Sequence, residues 1–376
     1  VTTPLVSVIM AAYNHAAFVE QAVASVLEQR GVDLELLVAD DGSADATRRT
    51  VAAIRDPRLR FFPHEVNRGA CVVTNELITR SRGEFIALIN SDDYWIDRDK
   101  LARQTDLLRT QPRYGASFGR PRFVDGNGGP LAKAGLGQGR VFDQENRSRG
   151  AWLRQFFDHG NCICHPTMLI RRECYAAAGM YDNRLRQLPD FDMWIRLVKH
   201  VDIHVSDAEM IAFRILPGEN ASCGTNENMR RLLHEFHFIL RGFFTGCPRS
   251  VFLDGFADLL VDKVPEGRAG EEIEQTLIYF SRDRWAHYIY NLVGLEKMHA
   301  LLGSAPHREL LARRYAMDDR TFHQLSVEVG AFDMDDVAAR LCTVPAKVMA
   351  SEIWQRALLR IPGPFRKLFR RFSPAP

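Results

Sequence analysis

Phe85-Ile86-Ala87-Leu88-Ile89 is an apolar run that stops abruptly at Asn90-Ser91-Asp92-Asp93. A run this short, apolar at every position, suits a strand covered on both faces, as in a parallel sheet. Open α/β sheets bind ligands outside the carboxyl ends of their strands. Two adjacent carboxylates at such a point offer oxygen donors to a hard divalent cation, and cations of this kind commonly arrive with a diphosphate. A helix cap followed by a solvated turn would use the same residues, because Asp is frequent at caps.

The preceding sequence repeats the pattern. Leu5 to Met10 reads as a buried strand that breaks at Ala11-Ala12-Tyr13-Asn14, and a helical pattern follows from about Ala16 to Gln29. Leu34 to Ala39 is a second strand, ending in Asp40-Asp41-Gly42-Ser43, after which Asp45 can cap a helix to about Arg55. Leu59 to Phe62 is a third, and Asn67-Arg68-Gly69 leads into a helix that ends near Ser81. Strand and helix alternate through short connections, which predicts a doubly wound, mostly parallel α/β sheet. Tyr13-Asn14, Asp40-Asp41 and Asp92-Asp93 then share one sheet edge. Neither GxGxxG nor GxxxxGK[ST] is present, so a phosphate here is to be held by a metal and basic side chains.

Composition narrows the function classes. The chain has 376 residues, room for two domains, and a net charge of +2, which gives no case for nucleic-acid binding. Seven cysteines without framework spacing fit reduced thiols in a cytosolic protein. Cys162-Ile163-Cys164-His165 lacks the second pair that a zinc site needs. No apolar run is long enough to span a bilayer and no signal-peptide pattern opens the chain, so the expected location is cytoplasmic.

SVIMAAYNHAAFVEQAVASVLEQ, then ELLVADDGSADAT, then NRGACVVTNELITRSRGEFIALINSDDYW resemble the N-terminal half of family-2, GT-A-type glycosyltransferases in order, spacing and strand-end position. The resemblance implies a Rossmann-like GT-A sheet and a nucleoside-diphosphate sugar donor. It also implies Mn²⁺ or Mg²⁺ and inverting transfer to the hydroxyl of a saccharide or lipid-linked acceptor. It places base and ribose contacts at Ala12, Tyr13, Asp40 and Asp41, and puts Arg68 near the nucleotide or diphosphate. The metal motif falls on Asn90 to Asp93. Asn90 stands where the first acid is usual, Asp92 is the expected metal ligand and Asp93 a supporting or sugar contact. Bacterial polysaccharide or glycoconjugate synthesis is the implied setting.

Further along, Pro189-Asp190-Phe191-Asp192-Met193-Trp194 opens a helix whose apolar face is Phe191, Trp194, Ile195 and Val198. By itself Asp190 reads as a capping carboxylate. The resemblance makes it the general base that takes the acceptor hydroxyl's proton. Where relatives carry Arg-x-His, this chain reads Arg214-Ile215-Leu216, so the metal-binding His is missing and Arg214 is left as a diphosphate contact. His165 and His204 are the candidates to replace that ligand. The segment from Pro217 to Asn226 corresponds to one that closes over the donor.

Residues 1–225 are thus expected to form the catalytic domain, and 226–376 a helical domain with a packing or oligomerisation role. Expected helices are 226–245, 248–263, 270–303, 306–316, 319–341 and 345–360, with Tyr279, Phe280, Trp285, Tyr288 and Tyr290 in the core. In the tail, Phe365, Leu368, Phe369 and Phe372 share a helical face with Arg366, Lys367, Arg370 and Arg371 between them. Two readings stand: a peripheral contact with the inner face of an anionic membrane, or a docked terminal helix. A nucleotidyltransferase would want a glycine-rich first loop, which is absent. The loss of the acid at Asn90 keeps a non-catalytic nucleotide-sugar-binding scaffold as the alternative to an enzyme.

Overall fold

The structure, a computed structural model, describes residues 4–133, 140–218, 225–280 and 286–329. The described residues fall into two compact units, one within 4–235 together with 246–255, the other 236–245 together with the described part of 256–329.

The first unit is built on an eight-stranded sheet. Its strands are β1 (Val6–Ala12), β2 (Leu34–Asp41), β3 (Leu59–His64), β4 (Phe85–Leu88), β5 (Tyr94–Trp95), β6 (Tyr114–Val124), β7 (Leu169–Arg171) and β8 (Asp202–Arg214), in the spatial order β3-β2-β1-β4-β7-β6-β8-β5. Between them run the helices α1 (Val19–Leu27), α2 (Thr47–Ala53), α3 (Ala70–Arg80), α4 (Lys100–Thr110), α5 (Arg149–His159), α6 (Cys174–Ala178) and α7 (Pro189–Val198). β2 is buried at every position, its apolar stretch Leu36–Ala39 and the acids Glu35, Asp40 and Asp41 alike, as in a strand covered on both faces. Each large aliphatic side chain buried there contributes roughly 1.5–3 kcal/mol.

β1, β2, β3 and β4 are mutually parallel. β7 is antiparallel to both β4 and β6, so β6 runs with β4, and β8 runs parallel to β6. Consequently β1, β2, β4, β6 and β8 all deliver their carboxyl ends to one edge. β7, running the other way, brings the residues before it, His165 to Met168, to that same edge.

Two strand-like stretches of the sequence fold less simply than they read. Val201–Val205 and Met210–Ile215 belong to one strand, β8, and the polar Ser206-Asp207 between them is a bulge where the β6–β8 register shifts. Of the stretch from Ile163 to Arg171 only Leu169–Arg171 is a strand. Pro166 has no N–H to give a ladder, and His165–Thr167 forms a 3-10 turn instead. Asp125 turns the chain after β6, its Oδ1 accepting from the N–H groups of Asn127 and Gly129.

α8 (Asn226–Gly242) and α9 (Arg249–Phe256) follow β8. The second unit is helical, with α10 (Gly267–Leu277), α11 (His287–Leu302), α12 (Ala305–Tyr315) and α13 (Asp319–Glu328). The single helix expected over 270–303 is interrupted, since a 3-10 turn at Ile278–Phe280 follows α10. Tyr279, Phe280 and Tyr290 are buried, but Tyr288 is 38 % exposed and leaves the expected core set. Glu274 is fully buried and accepts from the N–H groups of Val261 and Asp262 and the Tyr315 hydroxyl. Trp285, most of the segment expected to close over the donor and the basic tail lie outside the described residues.

Candidate active site

The edge shared by β1 and β2 is a pair of interlocked loops. Ala12 lies opposite Asp40 in the parallel register. Beyond it, Asn14 adopts φ +54°; its N–H donates to Ser43 Oγ at 3.0 Å and its Oδ1 accepts from Ala44 N at 2.9 Å. His15 N donates to Thr47 Oγ1 and Ala16 N to Asp45 Oδ2. Tyr13, between these anchored residues, is 45 % exposed, an aromatic face left to solvent at the strand end. Gly42 has φ +73°, and a Cβ there would come within 2.6 Å of the Asn67 nitrogen, so the loop after β2 requires glycine.

The two acids of β2 differ. Asp41 Oδ1 and Oδ2 accept from the backbone N–H groups of Arg68 and Gly69, at 2.7 and 2.9 Å, and so hold the entry to α3. Asp40 is fully buried; its Oδ2 accepts from Ser43 N at 3.3 Å, while its Oδ1 has no hydrogen-bond partner. A buried, unsatisfied carboxylate oxygen is costly, and in native proteins it commonly marks a functional group. Arg68 is exposed and pairs with Glu76.

At the end of β4 the four residues of the motif separate by role. Ser91 Oγ lies 2.7 Å from His15 Nδ1, joining this loop to the one after β1. Asp93 is 1 % exposed; its Oδ1 accepts from Arg214 N at 2.8 Å and its Oδ2 from Asn90 Nδ2 at 3.0 Å. Burial, and next the charge of Asp92, hold the Asp93 carboxyl well above the ordinary carboxylate range. The Asp93 carboxylate thus ties the loop after β4 to β8. Arg214 lies beside it. Its side chain is buried against the faces of Phe18 and Tyr94, and its N–H groups go to Asp92 O at 2.8 Å, Gly126 O at 3.1 Å and Gln21 Oε1. These bonds support the Asp92 backbone from β8.

Asp190 is the second residue of α7, after Pro189. Its Oδ2 accepts from Asn161 Nδ2 at 2.7 Å and its Oδ1 from Phe191 N at 2.8 Å. The positive end of the helix dipole favours a negative charge at this point. Phe191 and Trp194 are fully buried, which fixes the helix, and Asp192 pairs with Arg196. Burial pushes the Cys164 thiol well above the ordinary thiol range, and the charges of Asp93 and Asp190 add to that. His165 lies in the same field. Burial lowers its pKa, Asp190 opposes that, and its Nε2 is 2.8 Å from the Tyr181 hydroxyl.

A divalent cation fits this edge on narrow terms. Of the motif's residues, Asp92 is the partly exposed carboxylate, and among the described residues no group of three or more His, Cys, Asp and Glu could hold a metal. His165 is bonded to Tyr181, and His204 precedes the carboxyl end of β8 by a span on the order of 30 Å. Neither takes the place of the missing ligand. The donor set suits an ion that comes with a diphosphate and takes Asp92 as its protein ligand.

Several supporting residues carry no motif. Asn161 stands alone before an apolar run. Asn75 of α3 bonds Tyr181 N and O from a helix face that reads as ordinary surface. Lys100 is fully buried, its Nζ over the Trp95 ring at 4.2 Å and donating to Gln104 Oε1 at 2.8 Å. Gln104 in turn donates to Thr167 O and Ser117 O, tying α4 to the segment that carries His165. Burial pulls the Lys100 pKa down to about 7.

Residues 7–175 match the family model described as glycosyl transferase family 2. TuaG of Bacillus subtilis (strain 168), named as a teichuronic acid biosynthesis glycosyltransferase, is 37 % identical over 198 residues, 52 % of this chain and 73 % of that protein. The succinoglycan biosynthesis protein ExoO of Rhizobium meliloti (strain 1021) is 44 % identical over 103 residues, 27 % of this chain and 29 % of that protein. The crystal structure of S. aureus TarS in complex with UDP superposes with a TM-score of 0.51 at 16 % identity, covering 86 % of this chain and 90 % of that one. That likeness concerns the fold.

Proposed function

The chain belongs to glycosyl transferase family 2, and from that membership we propose that it is an inverting, metal-dependent enzyme moving a sugar from a nucleoside diphosphate to an acceptor hydroxyl. The observation that carries the reading is the Asp190 carboxylate, oriented by Asn161 Nδ2 at the N-terminus of α7, beside a sheet in which parallel strands β2 and β4 both lead into acids at their carboxyl ends.

In this reading the base and ribose rest against Tyr13, the Ala12 backbone and the unsatisfied Oδ1 of Asp40. Asp41 keeps the loop before α3 in place beside them, with Arg68 at its tip. Asp92 would hold Mn²⁺ or Mg²⁺ together with the donor diphosphate, and the ion would stabilise the charge that develops on the departing nucleoside diphosphate. Asp190 Oδ2 accepts the acceptor hydroxyl's proton as the oxygen attacks the anomeric carbon from the side opposite the leaving group. A single displacement of that kind inverts the anomeric configuration.

The relatives named for teichuronic acid and succinoglycan biosynthesis support a bacterial polysaccharide as the product, with a saccharide or lipid-linked acceptor. TarS bound to UDP makes UDP-sugars the first donors to try. A lipid-linked acceptor would give the basic tail a purpose at the membrane surface. Removing residues 362–376 should then abolish co-sedimentation with anionic vesicles, and unchanged co-sedimentation would remove that part of the reading. The central test is a thermal-shift panel of nucleotide sugars with and without Mn²⁺, on wild type and Asp92→Ala. Stabilisation by one donor that needs both metal and Asp92 supports the reading; no stabilisation by any donor would overturn it.

A further inference from the structure

Glu235 is 4 % exposed in α8, beyond the stretch where the sequence resembles known transferases. A buried carboxylate needs compensation, and here it comes from main chain. Glu235 Oε1 accepts from Arg186 N at 2.8 Å; Oε2 accepts from Gln187 N at 2.7 Å and Leu188 N at 2.9 Å. Three consecutive N–H groups thus converge on one anion, a concavity of the kind that elsewhere binds phosphate. In this molecule its occupant is a side chain of the same chain.

The next two residues are Pro189 and Asp190. Proline fixes its own φ and has no N–H to offer, so the chain entering α7 depends on the three amides before it for a defined path. Leu188 takes φ −127° and ψ 30°, and its carbonyl accepts from Asp192 N at 3.1 Å to begin the helix. A second thread runs from the same helix, Gln187 Nε2 donating to Asn228 Oδ1 at 3.1 Å. Hydrogen bonds to a charged acceptor are among the strong ones, and three of them on consecutive amides hold the turn in one conformation.

We propose that Glu235 is a positioning residue for the transfer reaction: it locks Arg186–Leu188 so that the Asp190 carboxylate meets the acceptor hydroxyl. The inference rests on the reading of Asp190 as the base. Glu235 touches neither donor nor acceptor in this account and acts through the backbone that carries Asp190. A group displaced by about 1 Å from its reactive geometry can lose a hundredfold in rate, so small slack in this turn is expressed in turnover.

Glu235→Gln tests this. The amide keeps the volume but leaves one carbonyl oxygen for three donors and turns its own NH₂ toward the others. Turnover is read as release of nucleoside diphosphate from the donor that the thermal-shift panel selects, with Mn²⁺ present. The expected result is a fall in kcat of roughly ten- to hundredfold with donor affinity changed less than about twofold. Hydrogen exchange at residues 186–188 should accelerate, while that of β1 and β2 stays as in wild type. In an Asp190→Asn background Glu235→Gln should cost nothing further, because the two act as one unit. Equal loss in both backgrounds, or unchanged kcat with unchanged exchange, would overturn the inference alone. Full activity of Asp190→Asn would overturn the reading of the base and this inference with it. Should Glu235→Gln not accumulate in folded form, Asn228→Ala removes the second thread while leaving Glu235 in place and should give the same kcat-specific loss, several-fold in size; no loss from it would count against the proposal.

Discussion

Asn161 donates from Nδ2 to Asp190 Oδ2 at 2.7 Å, so the carboxylate proposed as base is oriented by a neutral amide from the segment after α5. Asp190→Asn should lower turnover by roughly 10²–10⁴, the usual worth of a general base, with the melting temperature little changed. Asn161→Ala should lose about tenfold, since the carboxylate remains but its orientation is held by the Phe191 N–H alone. Nucleoside diphosphate release at saturating donor measures both, and an Asp190→Asn variant as fast as wild type would exclude Asp190 as base.

Asp92 and the buried Asp93 predict unlike phenotypes for neighbouring acids. Asp92→Ala should fold normally and lose the stabilisation that Mn²⁺ adds in the presence of donor. Calorimetric titration of the protein with Mn²⁺ alone should give weak binding or none, and tight binding without nucleotide would mean a ligand set richer than Asp92.

Asp40 offers a trade between stability and function. Its Oδ1 is buried without a partner, so Asp40→Ala should leave the melting temperature of the free protein unchanged or raise it. The same variant should lose the shift produced by nucleotide. A large drop in the melting temperature of the free protein would show that Asp40 is structural.

Lys100 gives the fold a pH dependence of known sign. Its folded pKa lies near 7, below the ordinary lysine value of 10.5, because burial disfavours the charge. Below about pH 7 the side chain is charged in both states and the burial penalty is complete. Between about 7 and 10.5 the unfolded chain binds the extra proton, so this residue's contribution to stability rises with pH, by up to about 1.4 kcal/mol per unit. Lys100→Met removes the titrating group. Urea unfolding from pH 6.5 to 9 should therefore show the variant's advantage over wild type shrinking as pH rises, and a constant difference would mean that the lysine is not held neutral.

Arg214 gives a test that separates support of the fold from contact with the donor. Arg214→Gln removes buried bonds to Asp92 O, Gly126 O and Gln21 Oε1, and should cost about 3 kcal/mol or more of stability. Loss of donor affinity at unchanged stability would put it at the diphosphate.

The sheet was legible because its strands are apolar at nearly every position and break at polar residues, which is what burial on two faces demands of β1, β2 and β4. Strand ends drew attention to Tyr13, Asp40 and Asp92, and a helix start to Asp190, without any knowledge of contacts. Which way a side chain turns at a strand end was not legible. Asp92 and Asp93 are adjacent acids, yet one is partly exposed and the other is buried under β8, and that difference comes from a strand more than a hundred residues later. Glu235 and Lys100 were invisible for a related reason. A charged residue on an amphipathic helix reads as solvated face until the partner that buries it is known.

The loops after β1 and β2 are stitched by Asn14 to Ser43 and Ala44, by His15 to Thr47 and by Ala16 to Asp45. They therefore form one module for anyone building chimeras. Exchanging the first loop alone for that of a relative sets Ser43, Asp45 and Thr47 against a foreign backbone and removes the Asn14 side chain, whereas residues 13–18 and 42–47 exchanged together keep these four bonds internal, with His15–Ser91 and Ser43–Asp40 left to cross the border of the graft. Altered donor choice in this fold should be sought by transplanting that pair, and single-loop libraries should return mostly unstable proteins.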